Sequence, residues 1–280
     1  MNPTQPIKLK VSRAEAICEL WVRGDLRFKL RPVQHRIRAA WHASRAFSKK
    51  FLGHISRQTG KSFFWTSVAI EECIKQPNFK VIYIAPVKEK LKDFITPIIE
   101  KILEDCPSGA NIQLVGTNLT FGNGSVISFY GAVNESYQHI RGSAAGLVII
   151  DEAGFVDSLE QLVGMIQPVL LRANGFLVLS SSSPVSGDHA FCEYLELAEK
   201  EGWYFKSTID DDETVTDEQR ETWAKEMGGR NSTAFRREFL CEIVTETERA
   251  IVPEWKDSFI QTIEPTQYWP FYSCYLGMDI

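Results

Sequence analysis

Short apolar runs alternate with longer stretches of helical character through the middle of the chain. "KFLGHIS" (50–56) reads as a strand running into a Gly60-Lys61-Ser62 turn, and "SFFWTSVAIEECIKQ" (62–76) as the helix that follows. "KVIYIAP" (80–86) is a β-rich run ended by Pro86, and "VKEKLKDFITPIIEKILED" (87–105) has helical character despite Pro97. "NLTFGNGSVISFYGA" (118–132) predicts a hairpin turning on Gly-Asn-Gly. "LVIIDEA" (147–153) and "GFLVLSSSSP" (175–184) are continuous apolar runs, as strands buried on both faces require, and "SLEQLVGMIQPVLLR" (158–172) between them predicts a helix. Strands alternating with helices imply an α/β fold, a doubly wound and mainly parallel sheet with its site at the carboxyl ends of the strands. The basic N-terminal region is expected to be helical. The acidic stretch "DDDETVTDEQRETWAKEMGG" (210–229) reads as a loop and exposed helix of a lid or subdomain beside the sheet.

Composition narrows the class. A chain of 280 residues suffices for one large α/β domain and a smaller appendage, and 44% hydrophobic with 24% charged residues is an ordinary globular balance. The apolar runs are too short to cross a bilayer and "MNPTQPIKLK" has no apolar signal core, so neither membrane insertion nor secretion is expected. Cys18, Cys73, Cys106, Cys192, Cys241 and Cys274 are scattered, which argues against a zinc site or disulfide framework and fits a reducing cytoplasm. The net charge of −5 speaks weakly against nucleic acid, but residues 1–62 carry 14 Lys/Arg against 3 Asp/Glu, while 199–226 carry 4 against 10. That asymmetry permits a basic face for DNA; it equally fits a solvated basic region.

The candidate chemistry stands at the ends of two predicted strands. In "HISRQTGKSFFW" (54–65), Gly60, Lys61 and Ser62 supply the second half of a P-loop, G-x-x-x-x-G-K-[ST]. Ile55 stands where the first glycine belongs, and Arg57 lies inside the loop. Gly60 lets the backbone approach a phosphate at a helix N-terminus, Lys61 supplies a cation for β/γ-phosphates, and the Ser62 hydroxyl can ligate Mg²⁺. Alone, the same letters fit a surface turn. In "GLVIIDEAG" (146–154), Asp151 and Glu152 end an apolar strand. One carboxylate there can hold Mg²⁺ while its neighbour orients and activates a water; an acidic helix N-cap is the plain alternative. The two halves together favour nucleotide hydrolysis on a sheet with a strand inserted between the two phosphate-binding motifs.

Three further features point the same way, each with an ordinary counterpart. Gln34, in "LRPVQHRI" (30–37), has an amide able to pair with an adenine edge, or is an exposed residue near a helix start. "SSSSP" (180–184) puts hydroxyls where a γ-phosphate can be sensed, or forms a serine-rich turn. Arg141, in "ESYQHIRGSAAG" (135–146), precedes the Asp-Glu strand, or is a solvated loop residue.

These ordered motifs resemble the large terminase subunit of tailed bacteriophages, the ATPase that drives DNA into procapsids. "SRQTGKS" resembles that family's deviant P-loop, in which an arginine replaces the usual glycine spacing, and "VIIDEAG" its acidic strand end. "SSSP" is similar to its coupling motif, "RPVQ" to its adenine-recognition glutamine, and "TAFRREFLCEIV" (233–244) to the segment closing its ATPase domain. Charge marks a basic region over 1–29, and the resemblance, which covers about 30–280, implies a P-loop NTPase core of the ASCE type over 30–185 and a small lid subdomain over 186–250. A linker over 251–270 and the first strand of a truncated RNase H-like nuclease domain over 271–280 would follow.

The implied cofactors are ATP and Mg²⁺. Gln34, Arg57, Gln58, Thr59, Gly60, Lys61 and Ser62 would bind ATP, with Ser62 and Asp151 on the metal and Glu152 activating the water. Ser181, Ser182 and Ser183 would couple hydrolysis to DNA movement, and Arg141 would reach a neighbouring subunit's ATP in trans. Asp279, in "YSCYLGMDI" (272–280), would be one of several nuclease carboxylates; one cannot build a two-metal site, so an ATPase fragment without nuclease activity is expected. The implied partners are double-stranded DNA, a portal protein, a small terminase subunit and further copies in a homo-oligomeric ring. The implied place is the host cytoplasm, at the procapsid portal vertex. Two rivals stand beside this reading. One is a superfamily 2 helicase or translocase, whose DEAD-type box "DEAG" resembles but whose second RecA-like domain is not evident after "SSSP". The other is a nucleotide-dependent structural switch that hardly hydrolyses.

Overall fold

The computed structural model describes residues 12–86, 89–132, 140 and 142–244. In chain order the elements are α1 (Arg13–Val22), α2 (Pro32–Ser44), β1 (Lys50–Ile55), α3 (Lys61–Lys75), β2 (Lys80–Ala85), α4 (Glu89–Leu103), β3 (Ile112–Val115) and β4 (Asn118–Phe121). There follow β5 (Val126–Gly131), β6 (Leu147–Asp151), α5 (Leu159–Ala173), β7 (Phe176–Ser181), α6 (Ala190–Glu201), β8 (Tyr204–Ser207), α7 (Asp217–Glu226) and α8 (Thr233–Phe239). They build one sheet in the order β3-β4-β5-β2-β6-β7-β1-β8. Its pairs are parallel from β5 through to β8 and antiparallel only at the β3-β4-β5 edge.

Strand alternation divides the core into two layers. Val81 and Tyr83 of β2 with Leu147 and Ile149 of β6 join one buried cluster; their neighbours Ile82, Ile84, Val148 and Ile150 join the other. The first layer is covered by α1 to α4, where Trp41 meets Phe51, Trp65 and Phe176 edge-on at centroid distances of 5.7, 6.0 and 5.7 Å. The second is covered by α5 and α6, through Leu162, Ile166 and Phe191. Helices on both faces of a parallel sheet give the doubly wound arrangement expected. The expected inserted strand is β7, which lies between β1 and β6.

Of the stretch expected to form the lid, the described residues 186–244 fall into two parts. β8 pairs with β1 from Leu52↔Tyr204 to Ile55↔Ser207 and so extends the sheet, while α6 supplies Phe191 and Ala198 to its core. β8 has only four residues of mixed polarity, so no apolar run announces it. Farther on, Ile209, Val215, Ala224, Phe235 and Phe239 form a small core of their own, with Phe239 stacked on Trp223 and Phe235. Arg141, the 251–270 linker and Asp279 lie outside the described residues. Among the described residues, no helix is long and apolar enough to cross a membrane.

Candidate active site

β1 ends at Ile55, which is wholly buried in the core. A glycine is not needed there, because the strand runs straight through that position and the loop turns later. The turn closes on Ser56, whose carbonyl accepts Thr59 Oγ1 at 2.8 Å and Lys61 Nζ at 3.2 Å. Gln58 and Gly60 take left-handed φ angles of 66° and 75°. At Gly60 the left-handed backbone favours glycine, and a β-carbon would also stand 2.7 Å from Gln34 Nε2, which would have to shift. α3 begins at Lys61, and the N–H groups of its first turn have no acceptor within the helix, which is what a phosphate needs.

β6 brings Asp151 and Glu152 to the same place. Asp151 is buried; its Oδ2 accepts Ser62 Oγ at 2.5 Å and Tyr83 Oη at 2.7 Å, and its Oδ1 accepts the Glu152 N–H at 3.1 Å. Burial, then the neighbouring Glu152 charge, hold the Asp151 carboxyl above the usual range, against the hydroxyl bonds and Lys61. Burial likewise pushes the Tyr83 phenol up, reinforced by Asp151. Glu152 has a left-handed φ of 51°, a conformation that non-glycine residues adopt at a cost. Its carboxylate lies 3.3 Å from Lys61 Nζ and 3.5 Å from Ser181 Oγ. Lys61, Ser62 and Glu152 line a cleft of 730 Å³ with Arg57 and Phe155, and Pro97, Ile98 and Lys101 of α4 also border it.

The serines at the end of β7 and just after it are buried, each tied to a different element. Ser181 Oγ accepts the Gly154 N–H at 3.0 Å, Ser182 Oγ donates to Glu238 at 3.1 Å, and Ser183 Oγ pairs with His54 Nε2 at 2.8 Å. Gln34 is not at an open edge. It is buried beneath the loop, donating to the Thr59 and Gly60 carbonyls at 3.1 Å each and accepting the Arg31 N–H at 3.0 Å. It is the third residue of α2, where a glutamine reaches back to the capping N–H. An adenine contact would require it to release those carbonyls. Arg57 pairs through Nε with Glu238 at 2.8 Å and lies 5.7 Å from the Phe155 ring centre.

The structure brings together the loop and the acidic pair that the sequence singles out, and sets beside them Tyr83, His54 and Glu238, which the sequence does not single out. Tyr83 and His54 sit inside strands and read as core. Glu238 carried a signal, since it lies in the "TAFRREFLCEIV" stretch already singled out. Ser62 and Asp151 offer an all-oxygen donor pair suited to a hard cation such as Mg²⁺. Among the described residues no cluster of three or more His, Cys, Asp or Glu could hold a metal, so water and phosphate oxygens would have to complete the shell.

Comparison with known proteins adds the family. The model for the family described as "Terminase large subunit, T4likevirus-type, N-terminal" matches residues 52–255. No curated protein matches the chain. The large terminase ATPase domain of Thermus phage P74-26 aligns with a TM-score of 0.60 at 20% identity, over 80% of this chain and 97% of that one. The large terminase of a thermophilic bacteriophage gives 0.62 at 15% identity, over 77% and 54%. That of bacteriophage HK97 gives 0.61 at 15%, over 83% and 55%. The chain thus spans about half the length of these last two proteins. At such identities the structures speak for the fold, that of a large terminase ATPase domain. The family match covers well over half of the sequence, and the chain belongs to the terminase large subunit family.

Proposed function

We propose that this chain is the ATP-hydrolysing part of a viral DNA-packaging motor. The observation that carries the reading is the convergence of Lys61, Ser62 and Glu152 on one cleft at the ends of β1 and β6, with Asp151 buried behind it on the Ser62 hydroxyl. Family membership supports the DNA-packaging context, and the thermophilic-phage large terminase, of the same fold, has been solved with ADP and with ATP-gamma-S.

Lys61 is held by Glu152 and the Ser56 carbonyl. Nucleotide phosphates draw Lys61 from Glu152, leaving that carboxylate to accept a proton from the attacking water. Ser62 and Asp151 would hold Mg²⁺, which neutralises charge on the β- and γ-phosphate oxygens when bound. Gly60 and the first turn of α3 cradle the phosphates. Ser181 links Glu152 to the end of β7, a route by which hydrolysis is felt along the sheet. The implied partners remain double-stranded DNA, portal protein, small terminase subunit and copies of the chain in a ring at the procapsid. In that ring Arg141 would act on a neighbour's ATP. Mixing Arg141→Ala with Glu152→Ala subunits should restore some turnover, and none would count against a role in trans.

Unwinding of forked DNA by the chain would favour the helicase reading instead. The test of the catalytic assignment is Glu152→Gln, which should bind ATP yet lose about 10²–10⁴-fold in turnover because an amide cannot serve as a base. Wild-type turnover in that variant would refute the assignment. Absence of turnover in the wild-type ring with DNA would favour the structural switch.

A further inference from the structure

We propose that Glu238 is a positioning residue of the nucleotide site, whose carboxylate competes with the nucleotide phosphates for Arg57. The inference rests on the ATPase reading above. α8 delivers Glu238 to the loop from outside the two strand ends that carry the chemistry. Its Oε2 meets Arg57 Nε at 2.8 Å and accepts Ser182 Oγ at 3.1 Å, and its backbone carbonyl accepts the Arg57 N–H at 2.9 Å. Oε1 lies 3.7 Å from Arg237 Nε. One side chain therefore joins the phosphate loop, the serines after β7 and the small 209–240 core.

The two partners are unequally free to move. The Glu238 side chain is 8% exposed and fixed among three groups, whereas the Arg57 side chain is 52% exposed and borders the cleft. A guanidinium makes charge-assisted bonds of the same kind with carboxylate and with phosphate. Phosphates entering beside Lys61 therefore pull Arg57 toward the cleft, against a carboxylate already holding it. Leaving Glu238 costs free energy, because a buried carboxylate loses a cationic partner and keeps Ser182 and Arg237. The loop is thus held in place by an anion that the nucleotide must outcompete. Occupancy of the site is then registered at α8 and at Ser182.

The test is equilibrium binding of ATP-gamma-S with Mg²⁺ to the full chain, wild type and Glu238→Gln, each also in an Arg57→Ala background, with thermal unfolding of all four. Glu238→Gln should bind about 2- to 10-fold tighter than wild type, and the gain should vanish without Arg57. A merely structural Glu238 would lower the unfolding temperature and weaken binding alike in both backgrounds. Unchanged or weaker binding in Glu238→Gln, or a gain that persists in Arg57→Ala, overturns the proposal. If Glu238→Gln fails to fold, Glu238→Asp, which keeps the charge but withdraws it from Arg57, should shift affinity in the same direction. A wild-type chain that does not bind ATP-gamma-S at all would sink the ATPase reading, and this inference with it.

Discussion

The two ends of α3 handle buried charge in opposite ways. Near its C-terminus, Glu71 and Glu72 are buried but fully occupied. Glu71 accepts Arg38 at 2.5 Å and the Leu26 N–H at 2.7 Å, and Glu72 pairs with Arg45 at 2.6 Å and Gln76 at 2.8 Å. The bonds from Leu26, Arg38 and Arg45 fasten the N-terminal segment to α3. At the N-terminus, Lys61 faces Glu152, and Asp151 is crowded by that same Glu152 and by its own burial. Charges that satisfy one another hold a fold together. Charges left in mutual tension around a cleft await a ligand.

The largest expected effect tests the satisfied end. Glu71→Ala leaves Arg38 without its carboxylate and the Leu26 N–H without an acceptor, so it should cost about 3–5 kcal/mol in urea unfolding. ATP turnover per folded molecule should stay near wild type; a selective loss of turnover would erase the contrast. Lys61→Ala probes the other end. Turnover should fall on the order of 10²–10³-fold or more, with nucleotide binding weakened, because the main cation facing the phosphates is gone. It should lose far less stability than Glu71→Ala, and a comparable loss would mark Lys61 as a fastening residue.

That contrast also explains what was legible in the sequence. Strands such as "LVIID" announce themselves because both faces are buried, and Gly60-Lys61-Ser62 and Asp151-Glu152 sit where those runs stop. Their chemistry follows from local order. The sequence points to Gln34, but its place under Thr59 and Gly60 depends on α2 lying against the loop. The Arg57–Glu238 pair joins residues far apart in the chain, as does Ser183 with His54. No periodicity reports such pairs. β8 escaped for a different reason, since a short edge strand of "YFKS" carries too few apolar positions to register.

His54 offers a smaller test of the same division. Burial, then the charges of Lys206 and Lys61, push its imidazole down to about 3, and it sits neutral between Ser183 and Tyr204. An unfolded histidine takes up a proton below its ordinary value of about 6.5, while the folded one does not until about 3. Stability from this group is therefore complete above about 6.5 and lost at about 1.4 kcal/mol per pH unit as pH falls through that window. Unfolding curves of His54→Gln should show a shallower acid limb than wild type. An identical limb would mean that His54 is protonated in the fold.

The smallest effect carries the most information, because it has the opposite sign. Asp151 has its folded pKa raised, by burial first and Glu152 second, so its ionised form is less favourable in the fold than in the unfolded chain. Its penalty is absent below the ordinary carboxylate range and grows as pH rises through the folded value. Asp151→Asn removes that penalty. An amide oxygen in the Oδ2 position still accepts Ser62 and Tyr83, while the bond from the Glu152 N–H is lost, which trims the gain. The variant should therefore be more stable than wild type at neutral pH, by about 0.5–2 kcal/mol, the usual size of a stabilising substitution. Its advantage should shrink toward pH 4, and Mg²⁺-dependent ATP turnover should be lost throughout. Thermal unfolding across pH checks it: an Asp151→Asn chain less stable than wild type at pH 7 would place Asp151 with Glu71 among the fastening carboxylates.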